Sequence, residues 1–201
     1  EQVLEDGQKI QFAGVIDLLA QRPGKLRVEV NSDREHRLFY FDGKSFTLWA
    51  PRLSYYATVP APATINELAT RLEDKFDIEL PLVDLFRWGT SEMQRNEITA
   101  ATDIGPSQVD GTTCQHYAFR QEGLDWQVWI QNGDYPLPRK IVLTTLTDEA
   151  RPQLEMVYTW NLAPSFNDGA FAFEAPKDAK HIPIAEVTPM AGVTKKQENQ
   201  K

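Results

Sequence analysis

Residues 25–59, KLRVEVNSDREHRLFYFDGKSFTLWAPRLSYYATV, decide how the chain is read. Taken in twos, they give four short strands, Lys25 to Val30, Arg37 to Phe41, Lys44 to Ala50 and Leu53 to Val59, parted by turn-forming residues. Asp42-Gly43, between the aromatic runs Phe39 to Phe41 and Phe46 to Trp49, predicts a tight type I′ hairpin in which both central residues take φ > 0. The strands carry large apolar groups on both faces, since Leu38 and Tyr40 point one way and Phe39 and Phe41 the other. A sheet with one wet face alternates apolar and polar residues, so both faces of this meander need cover. A helix or a ligand is expected against the second.

Working outward, Ile10, Phe12 and Gly14 to Ile16 predict an opening strand after Asp6-Gly7, and Arg22-Pro23-Gly24 predicts a turn. Pro51 and Pro60 stop strands because they cannot donate to a ladder, and Ala61 to Ala63 form a short linker. Thr64 with Glu67 has capping-box spacing, and Ile65, Leu68, Leu72 and Phe76 recur at helical intervals, with Arg71, Asp74 and Lys75 off that line. This predicts a helix from Ile65 to Phe76. Pro81 opens a second one through Leu82, Val83, Leu85, Phe86 and Trp88, with Gly89 as its stop. The two helices are the expected cover for the sheet.

From Glu97 the strand pattern resumes, with turn signals at Gly105-Pro106, Asp110-Gly111, Gly123 and Gly133. Thr112 to Gln121, Leu124 to Gln131, Arg139 to Thr147 and Leu154 to Leu162 are the next strands, and Phe171 with Phe173 a last one. Roughly ten antiparallel strands with one helical insertion predict a mainly β (α+β) fold, a curved antiparallel sheet forming a half-open barrel with a helical lid. One domain is expected over residues 1–179. Residues 180–201 read as a flexible tail, polar and proline-punctuated, ending in Lys195 to Lys201.

With 201 residues, 41% hydrophobic and 25% charged, the chain is long enough to bury a sizeable core. Its net charge of −8, with no basic run before the last residues, argues against nucleic acid or an anionic bilayer as an electrostatically held partner. No apolar run approaches the roughly 18–20 residues of a transmembrane segment. The chain begins at Glu1 and not at Met, so either a targeting segment was removed or an upstream part is missing. Secretion is permitted. The single cysteine, Cys114, excludes an internal disulfide framework and a cysteine zinc site.

The residues offer little chemistry. His36, His116 and His181 have no second ligand at metal spacing and read as structural or surface residues. Glu73 with Asp74 and Asp77 with Glu79 read as solvated charges on or beside a helix. There is no phosphate loop and no nucleophile elbow. Cys114 and His116 share a strand face, so a thiol–imidazole dyad is geometrically open, against the commoner reading of a small core cysteine. No cofactor is implied. The aromatic inventory weighs more: Trp49, Trp126, Trp129 and Trp160 fall in expected strands and Trp88 in the second helix. Trp126 and Trp129, three apart, face opposite sides. The ordinary reading is an aromatic core; the functional one is an apolar cavity, in which each acyl methylene buried is worth about 0.8 kcal/mol.

Read in order, Pro23, Lys25, Arg27, Phe41 to Lys44, Leu80 to Leu82, Asp84, Leu85, Asp110, Gly111, Cys114, His116, Tyr117, Asp125 to Gln127, Trp129, Pro136, Pro138 to Lys140, Asn161, Phe166, Phe171, Phe173 and Pro176 carry a resemblance. The chain resembles, from Phe12 to Ala179, a family of predicted periplasmic bacterial proteins of unknown function, placed in the superfamily of outer-membrane lipoprotein carriers. The resemblance implies a periplasmic location, a half-open barrel lidded by helices, and a cavity for lipid or lipoprotein acyl chains. Family members begin with a further helix and strand upstream of Glu1. The resulting expectation is a non-enzymatic binding or carrier protein for a hydrophobic ligand, with Phe39, Phe41, Trp49, Tyr56, Leu72, Phe76, Phe86 and Trp129 as cavity candidates. The alternative is an envelope scaffold or protein-interaction module with a filled core. An enzyme using Cys114 with His116 is the third reading.

Overall fold

The structure, a computed structural model, describes residues 1–87 and 98–187. In chain order the elements are β1 (Gln2–Val3), β2 (Lys9–Ile10), β3 (Gly14–Gln21), β4 (Lys25–Ser32), β5 (His36–Phe41), β6 (Ser45–Ala50) and β7 (Tyr55–Pro60). The helices α1 (Ile65–Phe76) and α2 (Asp84–Arg87) follow, then β8 (Ala100–Val109), β9 (Thr112–Gln121), β10 (Leu124–Gln131), β11 (Pro138–Thr145), β12 (Gln153–Val157) and β13 (Lys180–His181). The fold is mainly β, and its sheets are not closed into a barrel. One six-stranded sheet has the order β13-β7-β6-β5-β4-β3 and one five-stranded sheet the order β12-β11-β10-β9-β8. They fall in two compact units, residues 14–90 with 166–201 and residues 1–13 with 91–165.

The meander runs through β4 to β7 with two corrections. At Asp42-Gly43 only the glycine takes a positive φ, +89°, and Phe41 pairs with Phe46, so a longer loop replaces the type I′ turn. The cause is the Asp42 carboxylate, whose Oδ1 accepts from the Lys44 N–H at 2.9 Å and the Ser45 N–H at 2.8 Å. That closure needs no left-handed aspartate. A two-residue turn with both φ values positive occurs instead at Asp110-Gly111, at +48° and +75°, where Val109 pairs with Thr112. The second correction is at Pro51–Leu53, a 3-10 turn ended by Ser54 at φ +55°, so β7 starts at Tyr55 and not at Leu53.

Burial alone raises the Asp42 pKa, but the hydrogen bonds from Ser45 and Lys44 outweigh it and hold the carboxyl below its ordinary 3.8. A depressed folded-state pKa stabilises above the unfolded value and is lost as pH falls through the folded one. Asp42→Ala should therefore cost about 1 kcal/mol at pH 7 by urea unfolding, as for loss of a local carboxylate cap. Its difference from the parent should shrink as pH falls below 3.8.

One face of the six-stranded sheet is closed by α1. Thr64 Oγ1 accepts from the Glu67 N–H at 3.2 Å and Glu67 Oε2 accepts from the Thr64 N–H at 3.2 Å, the expected capping box. The helix lays Ile65, Leu68, Ala69, Leu72 and Phe76 on Leu26, Val28, Phe39, Phe41 and Phe46. Phe46, Val28 and Leu72 keep 0% of their surface, so they border no void large enough for water. Among the described residues the second helix covers Asp84–Arg87 and starts later than Pro81, because Leu82 at φ +60° breaks the helical backbone there. Arg87 ties it to α1 through both carboxylate oxygens of Glu73, at 3.0 and 2.9 Å. Trp88, Gly89 and Glu97 lie outside the described residues.

The other face is covered by the returning chain. Phe173 packs against Tyr40, Trp49 and Tyr56 at centroid distances of 5.4, 5.9 and 5.0 Å. Phe171 and Phe173 are not a strand as expected: a 3-10 helix spans Asp168–Phe171 and Phe173 follows it as a plug. Beyond it, within the stretch read as a tail, β13 pairs in parallel with β7, and the Lys180 and Ile182 N–H groups donate to Ser54 and Tyr56 carbonyls at 2.9 and 2.8 Å.

Candidate functional site

The register of the five-stranded sheet sets rows of apolar side chains on one face and a largely polar ladder on the other. On the apolar face Phe119 pairs with Trp126, Trp126 with Leu143, Leu143 with Leu154, and Phe119 with Ala101. Directly paired residues share a face, so this is a row of one apolar side chain from each strand. The next row holds Tyr117, Val128, Ile141 and Met156. Phe119 stacks on Trp126 at 4.1 Å, and the Trp126 indole N–H donates to Gln121 Oε1 at 3.1 Å. Val128 and Ile141 are buried, Tyr117, Phe119, Trp126 and Leu143 half-buried, and Leu154 keeps 51% of its surface.

The polar face is a cross-strand ladder centred on Trp129. His116 stacks on the indole at 3.9 Å, Lys140 Nζ lies 5.3 Å from its centroid, and the indole N–H donates to Ser107 Oγ at 3.2 Å. Gln127 Oε1 is 3.0 Å from His116 Nε2, and Lys140 Nζ is 2.9 Å from Glu155. Arg120 holds Asp125 in a fork, Nε to Oδ1 at 2.6 Å and the second nitrogen to Oδ2 at 2.7 Å. The hydrogen bond from Arg120 lowers the Asp125 pKa and raises that of the guanidinium. These groups hydrogen-bond, stack or pair with one another across the strands.

Cys114 is buried, its thiol donating to the Thr112 carbonyl at 3.4 Å, and burial raises its pKa. That is the reverse of what an attacking thiolate needs, and His116 is engaged with Gln127 and Trp129. Among the described residues no group of three His, Cys, Asp or Glu could hold a metal ion.

The structure separates the cavity candidates. Phe39, Phe41, Leu72, Phe76 and Phe86 meet in the cluster under α1. Trp49 and Tyr56 lie on the opposite face of the same sheet, under Phe173. Trp129 is on the polar face of the five-stranded sheet. Trp126 and Trp129 do face opposite ways, and the partner on the apolar side is Trp126. The signal for it was the alternation of Tyr117 and Phe119 in β9 with Trp126 and Val128 in β10, read as strands without a choice of face.

The sequence model of a family described as predicted periplasmic protein (DUF2092) matches residues 1–185. The chain belongs to this family. Its description gives the periplasmic location that the resemblance implied. No curated protein matches the chain. No helix among the described residues is long and apolar enough to cross a membrane.

Proposed function

We propose that this periplasmic chain is a non-enzymatic binding protein that holds a lipid, a lipoprotein acyl chain or a similar apolar ligand against the apolar face of the five-stranded sheet, for transfer or sequestration. The observation that carries the reading is the row Ala101, Phe119, Trp126, Leu143 and Leu154. Four strand spacings of about 4.8 Å make it about 19 Å long. Each methylene removed from water along it contributes about 0.8 kcal/mol, so an extended chain needs no charged anchor to bind. The kinship with lipoprotein carriers, and a half-open barrel with a helical lid, belong to this reading. The close-packed cluster under α1 moves the ligand away from Phe39, Phe41, Leu72, Phe76 and Phe86.

The same cluster favours a second reading, an envelope interaction module whose apolar face takes a protein partner. Native mass spectrometry of the mature protein from its host, followed by organic extraction, separates the two. A stoichiometric co-purifying lipid is the expected result. A clean protein mass that stays unchanged after lipid addition favours the interaction module.

A further inference from the structure

The stretch after residue 179, which the sequence marks as a tail, is seated on the edge of β7. On its inner side β7 pairs with β6 from Tyr55 to Pro60. Among the described residues its outer side carries Lys180 and His181, in parallel with Tyr55 and Tyr56. The Lys180 and Ile182 N–H groups donate to the Ser54 and Tyr56 carbonyls at 2.9 and 2.8 Å, and further on the Val187 N–H donates to the Lys75 carbonyl at 2.7 Å. The side chains reach different neighbours: the His181 ring lies 5.2 Å from that of Tyr56, and Ile184 packs against the cluster under α1. Backbone bonds to a strand edge, with one ring contact and one aliphatic contact, are the pattern by which a sheet takes up an extended peptide.

The segment is lightly held and loosely tethered. Lys180, His181, Ile182 and Pro183 are exposed, and so is every residue of the tether Glu174 to Asp178. The end of the tether is a turn closed on itself, the Ala179 N–H donating to the Pro176 carbonyl at 3.0 Å. A strand edge is a template for any chain that can lay a strand beside it, and residues 180–187 fit this one. We infer that the β7 edge is a strand-addition surface, which residues 180–187 fill within one molecule and which the same residues of a second copy fill in exchange. The second copy is the occupant because its segment brings the same backbone donors, the same ring for Tyr56 and the same aliphatic side chain for the cluster under α1. Exchange of an identical element needs no new surface. Within one molecule the tether supplies the segment at an effective concentration of about millimolar, so the closed monomer dominates when the chain is dilute.

The experiment adds a synthetic peptide of residues 178–187 to the ¹⁵N-labelled full chain and to its Ile182→Pro variant, whose own segment has lost the donor to the Tyr56 carbonyl. The amides of Tyr55 and Ala57, which share peptide groups with the Ser54 and Tyr56 carbonyls, should shift saturably in both chains. The Kd should be lower by roughly tenfold or more in the variant, where the competing segment is released. If Ile182→Pro does not fold, Val187→Pro removes the donor to Lys75 in its stead. Light scattering of the parent should show a dimer that grows as the chain approaches about millimolar and that excess peptide dissolves. Amides that do not move in either chain, equal affinity for parent and variant, or the same shifts from a peptide of scrambled order, overturn the inference. A parent that stays monomeric throughout overturns the second copy as occupant.

Discussion

Replacing Phe46 by alanine should lower the unfolding free energy by about 3–5 kcal/mol, the range for removing a fully buried aromatic ring. The ring keeps 0% of its surface and lies 6.2 Å from Phe39, in the row that Leu26, Phe41 and Phe46 form beneath α1. Urea unfolding followed by far-ultraviolet circular dichroism reads the loss as a fall in midpoint. The size of the effect also bears on function. In a close-packed core the missing ring leaves a void that its neighbours fill only in part, and both the transfer and the cavity contributions are lost. In a cavity made to hold a ligand, Phe46 would already border open space, and its truncation would cost little. A loss below about 1 kcal/mol would return the six-stranded sheet to the list of ligand sites.

Gly24→Ala is the second large effect, about 3 kcal/mol, at the upper end of the range for forcing extra atoms into a packed site. The clash arises from packing: a Cβ would stand 2.1 Å from the backbone oxygen of Ala63, which no side-chain rotation relieves. The two segments must part, and the hydrogen bond from the Ile65 N–H to the Pro23 carbonyl sits across the gap that opens. The variant should unfold at lower urea. Gly7, whose added Cβ would meet nothing within 4 Å, supplies the comparison. Gly7→Ala carries only the strain of its φ of +83°, and the short β1–β2 hairpin should absorb it with a smaller loss. Equal effects at the two glycines would contradict the packing argument.

What the sequence made legible was local. The two-residue rhythm of residues 25–59 and the Thr64–Glu67 box located β4 to β7 and α1, because each signal lies within one or two turns of chain. The need to cover both sides of the meander was also legible, from Leu38 and Tyr40 set against Phe39 and Phe41. What covers the second side was not, since Phe173 and His181 reach Tyr56 over more than a hundred residues of chain. Leu82 at positive φ and the Asp42 closure are set by tertiary packing and by one side-chain geometry, and neither leaves a periodic trace. For the candidate site the failure was one of face. Trp126 and Trp129 were placed on opposite sides, but which side is apolar depends on the partners in β9 and β11. Only the register supplies those.

The decisive measurement follows the tryptophan indole N–H signals of the ¹⁵N-labelled chain during titration with a fatty acid below its critical micelle concentration. Binding along the row through Phe119 and Leu143 should shift the Trp126 indole, now donating to Gln121, saturably and leave that of Trp49 in place. A Trp126 signal that does not move, or movement at Trp49 in its stead, would contradict an apolar ligand held on the five-stranded sheet.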